Sequence, residues 1–146
     1  MKHKVFFLLL ALLAISQAVR AFDFSVQAPS GQWLYFNIIS GHVEVVRPGK
    51  GASYNGYVSG DLTIPDSVTY SGTTYAVTTI AIGAFLGSDI TSVNIPTSIT
   101  YIGEQAFLGC SRLTSITIPV SVDSIGGYAF EGCGRMTYAN IPYSVT

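Results

Sequence analysis

The chain has 146 residues, a formal net charge of −1, 10% charged side chains and 49% apolar ones. Part of the apolar share, 15 residues, sits in the first 21 positions; after them, eight acidic residues stand against four basic ones (Arg47, Lys50, Arg112 and Arg135), leaving −4. A chain with this bias and no basic patch is not built to grip nucleic acid or an anionic membrane. The single histidine, two cysteines and scattered carboxylates of that stretch leave little material for catalysis.

Lys2 and Lys4 precede Val5–Ile15, an unbroken apolar run followed by polar Ser16 and Gln17. A bilayer-spanning helix needs about 20 apolar residues, and this run is shorter. A charged start, a short apolar middle and small residues at Ala18 and Ala21 read as a secretory signal peptide over 1–21. Cleavage is expected after Ala21, with Ala18 as the alternative. No stable membrane span would remain, and no cysteine lies near the cleavage region to carry a lipid. The protein is therefore expected to be secreted or held at the cell surface.

Residues 22–60 read as an N-terminal β-rich cap. Phe22-Asp-Phe24-Ser-Val26 alternates, and Pro29-Ser-Gly31-Gln makes a turn. Trp33–Ile39 and Val43–Val46 are two further β-rich runs around Ser40-Gly41-His42. Pro48–Gly60, rich in Gly, Ser, Asn and Tyr, reads as an irregular connection. A three-stranded antiparallel module is expected here, its apolar face covering the first coil of the C-terminal half.

From residue 61 to 146 the sequence repeats. Ile80-Ala-Ile-Gly-Ala-Phe85-Leu-Gly, Ile102-Gly-Glu-Gln-Ala-Phe107-Leu-Gly and Ile125-Gly-Gly-Tyr-Ala-Phe130-Glu-Gly align. Each is followed by a short β-like pair and a proline (Pro96, Pro119 and Pro142), so the unit is 22–23 residues long. Leu62-Thr-Ile64-Pro65 matches the end of an earlier, partial unit, and Tyr70–Tyr75 reads as a hairpin inserted around a Ser71-Gly72 turn. Ile116 and Ile118 alternate around Thr117 as a short strand, which Pro119 ends for want of an N–H. So few apolar side chains cannot make a core within one unit. Stacked coils bury them against their neighbours, with parallel strands in register. Gly109 and Gly132 suit corners that need positive φ.

The run Ile-x-x-Ile/Leu-Pro-x-Ser-Val-x-x-Ile-Gly-x-x-Ala-Phe-x-x-Cys resembles the leucine-rich repeats of BspA-like surface proteins of Bacteroides-type bacteria and some protozoa. Phe22–Val46 also resembles the β-rich lead-in of such repeats. The resemblance implies a repeat solenoid with short parallel β-strands after a small antiparallel cap. It further implies a bacterial protein, secreted or surface-attached, that acts in adhesion or protein binding, with no catalytic residues and no cofactor. The third copy departs from the pattern: Tyr138-Ala139 stands where Ser115-Ile116 stands in the second, so its strand is less well filled or lies at an exposed end.

Cys110 and Cys133 hold one repeat position and would lie about 5 Å apart, within disulfide reach. Side chains in a ladder point the same way, which suits the S–S torsion poorly, so buried free thiols are expected, with a disulfide as the alternative. Two cysteines without a clustered histidine make a weak case for zinc. His42 reads as a solvated turn residue. Asp61, Asp66, Asp89 and Asp123 read as isolated turn residues rather than a calcium loop. Arg112 and Arg135 read as a solvated pair at one repeat position. Tyr101, Tyr128, Tyr138 and Tyr143 are candidate exposed anchors, and Asp66-Ser67-Val68 and Asp123-Ser124-Ile125 resemble a short bacterial O-glycosylation signal.

The candidate binding face is the outward side of the repeat strands: Thr91, Ser92 and Asn94; Thr114, Ser115 and Thr117; Thr137, Tyr138 and Asn140. The expected partner is a protein or extracellular-matrix ligand, and no enzyme activity is expected. The alternative is a structural spacer presenting another domain beyond the C-terminus. The sequence stops midway through a unit, which reads as a fragment of a longer protein with an open C-terminal edge able to self-associate.

Overall fold

A computed structural model describes residues 22–48 and 58–146. Residues 1–21, read from sequence as a signal peptide, and most of the Pro48–Gly60 connection lie outside the described residues. Every regular element described is a strand.

The chain enters through β1 (Phe24–Gln27), β2 (Trp33–Ile39) and β3 (His42–Val46). β1 pairs antiparallel with β2, and β2 with β3. The β2–β3 turn is made by Ser40 (φ 44°) and Gly41 (φ 95°). Two central residues with positive φ give the backbone twist that a two-residue hairpin needs. Leu34, Phe36, Val43 and Val45 are buried, while Trp33 and Ile39 are exposed, the alternation of a sheet with one face on the core.

Next come β4 (Ser59–Thr63), β5 (Ser67–Tyr70) and β6 (Thr73–Ile80). β5 and β6 form the hairpin read from sequence, with Ser71 at φ 50° and Gly72 at φ 80° in its turn. The far half of β6 is also a repeat strand: Thr79-Ile80 pairs in parallel with β8 (Tyr101–Ile102), which pairs in the same way with β10 (Ser124–Ile125). β3 lies on the opposite edge of β6, in parallel. The cap therefore does more than cover the repeats. It is continuous with them in one seven-stranded sheet.

A second set of strands forms the other wall. β4 pairs in parallel with β7 (Asp89–Asn94), and β9 (Ser115–Thr117) with β11 (Tyr138–Asn140). Thr114 N donates to Thr91 O at 3.3 Å and links β7 to β9. The cap closes the first edge of this wall with side chains. Gln32 Nε2 donates to Ser59 O (3.0 Å) and Asp61 O (2.9 Å), and Ser30 Oγ accepts from Thr63 N (2.9 Å).

Between the walls the coils share one interior. Phe85, Phe107 and Phe130 form a single column, with ring centroids 5.2 and 5.4 Å apart and interplanar angles of 21° and 10°. Ile80, Ile90, Ile99, Ile102, Leu113, Ile116, Ile118 and Val122 are buried around it, whereas Ile125, Phe130 and Met136 of the last coil are half-buried. Each full burial of such a side chain contributes about 1.5–3 kcal/mol.

Polar ladders tie coil to coil. Ser121 Oγ donates to Ile99 O (2.8 Å) and Ser144 Oγ to Val122 O (2.9 Å). Ser98 occupies the same repeat position, yet its buried Oγ has no partner among the described residues. Its preceding coil is the β5–β6 hairpin, which breaks the ladder there.

The cysteines make an equivalent ladder. Cys110 Sγ donates to Phe85 O at 3.2 Å and Cys133 Sγ to Phe107 O at 3.3 Å, both as free thiols. Burial, aided by the neighbouring Cys133, pushes the Cys110 thiol up to about 12, and burial also raises Cys133. Each thiol is turned to a carbonyl of the coil before it rather than to the other sulfur.

The corners are tight. Gly109 (φ 72°) and Gly132 (φ 73°) take the left-handed conformation expected of them. Two residues before each phenylalanine the same conformation recurs, at Gly83, Gln105 (φ 57°) and Tyr128 (φ 59°).

Candidate interaction face

The nine face residues expected from sequence fall into two groups. On β9, Ile116 turns inward and leaves Ser115 and Thr117 exposed; Asn94 is exposed at the end of β7, and all of β11 is exposed. Thr114 and Thr137 precede their strands and spend their hydroxyls on the coil before: Thr114 Oγ1 donates to Thr91 O, and Thr137 Oγ1 to Thr114 O, each at 3.3 Å. These two threonines are fasteners between coils as well as surface residues.

Ser92, Asn94, Ser115 and Thr117 come together with Asp61 and Thr63 of β4 in a shallow concavity of about 360 Å³. Thr91, Thr114, Thr137, Tyr138 and Asn140 are not among its lining residues. Asp61 corrects the reading of it as an isolated turn residue: it lies within β4, opposite Ser92. Leu62-Thr-Ile64-Pro65 marked the end of that strand, but its start, Ser59-Gly60, carries turn-forming residues that concealed where it begins.

The ladder between β4 and β7 contains a register shift. Gly60 pairs with Ile90, but Asp61 pairs with Ser92, so Thr91 is the extra residue of a bulge. A bulge re-aims side chains that regular pleating would send to opposite faces. Here it brings two consecutive hydroxyls onto one carboxylate oxygen: Thr91 Oγ1 donates to Asp61 Oδ1 at 2.9 Å and Ser92 Oγ at 2.6 Å. These two bonds hold the Asp61 carboxyl below its ordinary value. Oδ2 makes no hydrogen bond or ion pair among the described residues.

The other candidates lie elsewhere. Tyr101 is on β8 in the opposite wall, Tyr128 is in a corner, and Tyr143 comes after the last strand. Tyr138 sits on β11 opposite Ser115, 57% exposed. Arg112 and Arg135 are exposed, and His42 is half-buried as the first residue of β3. Among the described residues no three His, Cys, Asp or Glu side chains cluster as a metal site. No described helix is long and apolar enough to cross a membrane.

Stacked coils with a phenylalanine column, two parallel ladders and a hydroxyl-lined wall define a leucine-rich-repeat solenoid. The family described as "BspA type Leucine rich repeat region (6 copies)" matches residues 78–146. A leucine-rich repeat protein from Bacteroides capillosus is 30% identical with a TM-score of 0.68, over 84% of this chain and 86% of that one. A leucine-rich cell surface protein from Faecalibacterium prausnitzii is 28% identical with a TM-score of 0.66, over 85% of this chain and 32% of that one. The leucine-rich repeat protein of T. pallidum is 25% identical with a TM-score of 0.62, over 77% of this chain and 49% of that one. The chain thus spans most of the first of these and half or less of the other two. No curated protein matches it. The chain belongs to the BspA-type leucine-rich-repeat family.

Proposed function

We propose that this protein is a non-catalytic, secreted or cell-surface binding protein that engages a protein or matrix partner through the β4–β7–β9 wall. The observation that carries this reading is the concavity in which Asp61, Ser92, Asn94, Ser115 and Thr117 converge. Membership of a family of repeat proteins that mediate protein interactions supports it, as does the likeness to a leucine-rich cell surface protein. The wall offers hydroxyl, amide and carboxylate groups beside half-buried Val93 and Pro119, on a frame whose backbone is already paired. Such a frame loses little entropy on binding.

The test is saturable binding to a panel of host-matrix and bacterial-surface proteins, comparing the wild type with Ser115→Arg and with Thr79→Arg on the opposite wall. Binding lost only in Ser115→Arg is the expected result. Absence of saturable binding across the panel would count against adhesion and favour a spacer that presents another domain.

A further inference from the structure

We propose that the concavity between β4 and β9 seats a basic side chain, lysine or arginine, of an extended peptide segment, with Asp61 as its counter-charge. This rests on the reading of that wall as the binding face and names the chemistry of its partner. Three observations converge on it. Asp61 carries the one formal charge among the residues lining the concavity. The bulge at Thr91 fixes one carboxylate oxygen with two hydroxyl donors, so the carboxylate is oriented before any partner arrives and its second oxygen is open. No cation of the chain's own pairs with it among the described residues.

An ammonium or guanidinium group on Oδ2 would make a charge-assisted hydrogen bond, which is stronger than a neutral one. The hydroxyl and amide groups of Thr63, Ser92, Asn94, Ser115 and Thr117 can bond to the peptide backbone on either side. A glycan is the less suitable occupant, because the lining has no aromatic ring against which a sugar face could stack.

The experiment is a titration of the ¹⁵N-labelled full chain, followed by amide chemical shifts. The probes are capped Gly-Ser-Lys-Ser-Gly, its glutamate counterpart, and maltohexaose. The lysine peptide is expected to shift the amides of Asp61, Ser92 and Ser115, to weaken as salt is added, and to lose about twofold to fivefold in affinity in Asp61→Asn. Asparagine keeps an oxygen for Thr91 and Ser92, so the bulge survives and only the charge is removed. Equal shifts from lysine and glutamate peptides, or lysine shifts unchanged in Asp61→Asn, would overturn the counter-charge while leaving the wall as the binding face. Shifts in the concavity from maltohexaose alone would overturn it in favour of a glycan. Shifts confined to the opposite wall, or none from any probe, would overturn it too, and the first of these would also remove the wall from the binding role.

Discussion

Two backbone positions in each coil are left-handed, and at one of them the chain uses glycine once, glutamine once and tyrosine once. A non-glycine residue in that conformation costs about 1–2 kcal/mol. Tyr128 is 65% exposed, so its side chain gives little back. Tyr128→Gly is expected to stabilise the fold by about 1 kcal/mol in urea unfolding, once the added freedom of the unfolded chain is counted. Gly126 is constrained for another reason. A Cβ there would lie 2.3 Å from Glu104 N, a backbone atom of the coil before. Gly126→Ala is expected to cost about 3 kcal/mol, since the coils must separate to admit the methyl group.

The thiols set an alkaline limit on stability. Cys110 ionises at about 12 in the folded chain, whereas its ordinary value is 9.0. Its contribution is whole below pH 9 and is lost between about pH 9 and 12, because only the unfolded chain readily gives up the proton there. Melting temperature is expected to fall across that window and to fall less steeply in Cys110→Ser. Under native conditions an aromatic disulfide reagent is expected to modify half-buried Cys133 before Cys110.

At the scale of elements, the phenylalanine column and the cap clamp are the two devices that differ most from ordinary sheet pairing. Phe107 has a ring on each side and is fully buried, whereas Phe130 is half-buried with a ring on one side only. Phe107→Ala is expected to cost about 3–5 kcal/mol and Phe130→Ala less, as read from denaturant midpoints. The repeat was legible because Phe, Gly and Pro recur at fixed spacing, and the Ser71-Gly72 hairpin because its turn residues are specific. Continuity of cap and repeats in one sheet was not legible. It depends on β3 finding the far edge of β6, and parallel pairing between distant strands leaves no local mark. Asp61 was missed for a related reason: the bulge at Thr91 exists only once β4 and β7 are side by side.

For the whole molecule, stability comes from neighbours rather than from any single unit. Burial decreases toward the last coil, where Phe130, Met136 and Val145 are half-buried. Hydrogen exchange is therefore expected to be slower at Gly103 N, bonded to Ile80 O, than at Thr146 N, bonded to Asp123 O. Among the described residues β11 pairs only with β9, and Tyr138 on it and Ile141 just after it are more than half exposed. An unpaired edge of this kind invites association. Mean mass in light scattering is expected to rise with protein concentration and to stay flat in Ala139→Lys.

The column of phenyl rings also sets the step by which this architecture can change length. Each ring meets the next through the same contact that it makes with the one before. One whole period, from Pro96 to Pro119, could thus be duplicated without disturbing either flank. An insertion of half a period would throw every later ring out of line, whereas the one-residue difference between the 22- and 23-residue units is absorbed. The molecule works as a ratchet for its own lengthening: reach grows in discrete notches, while the chemistry near Asp61 stays anchored beside the cap.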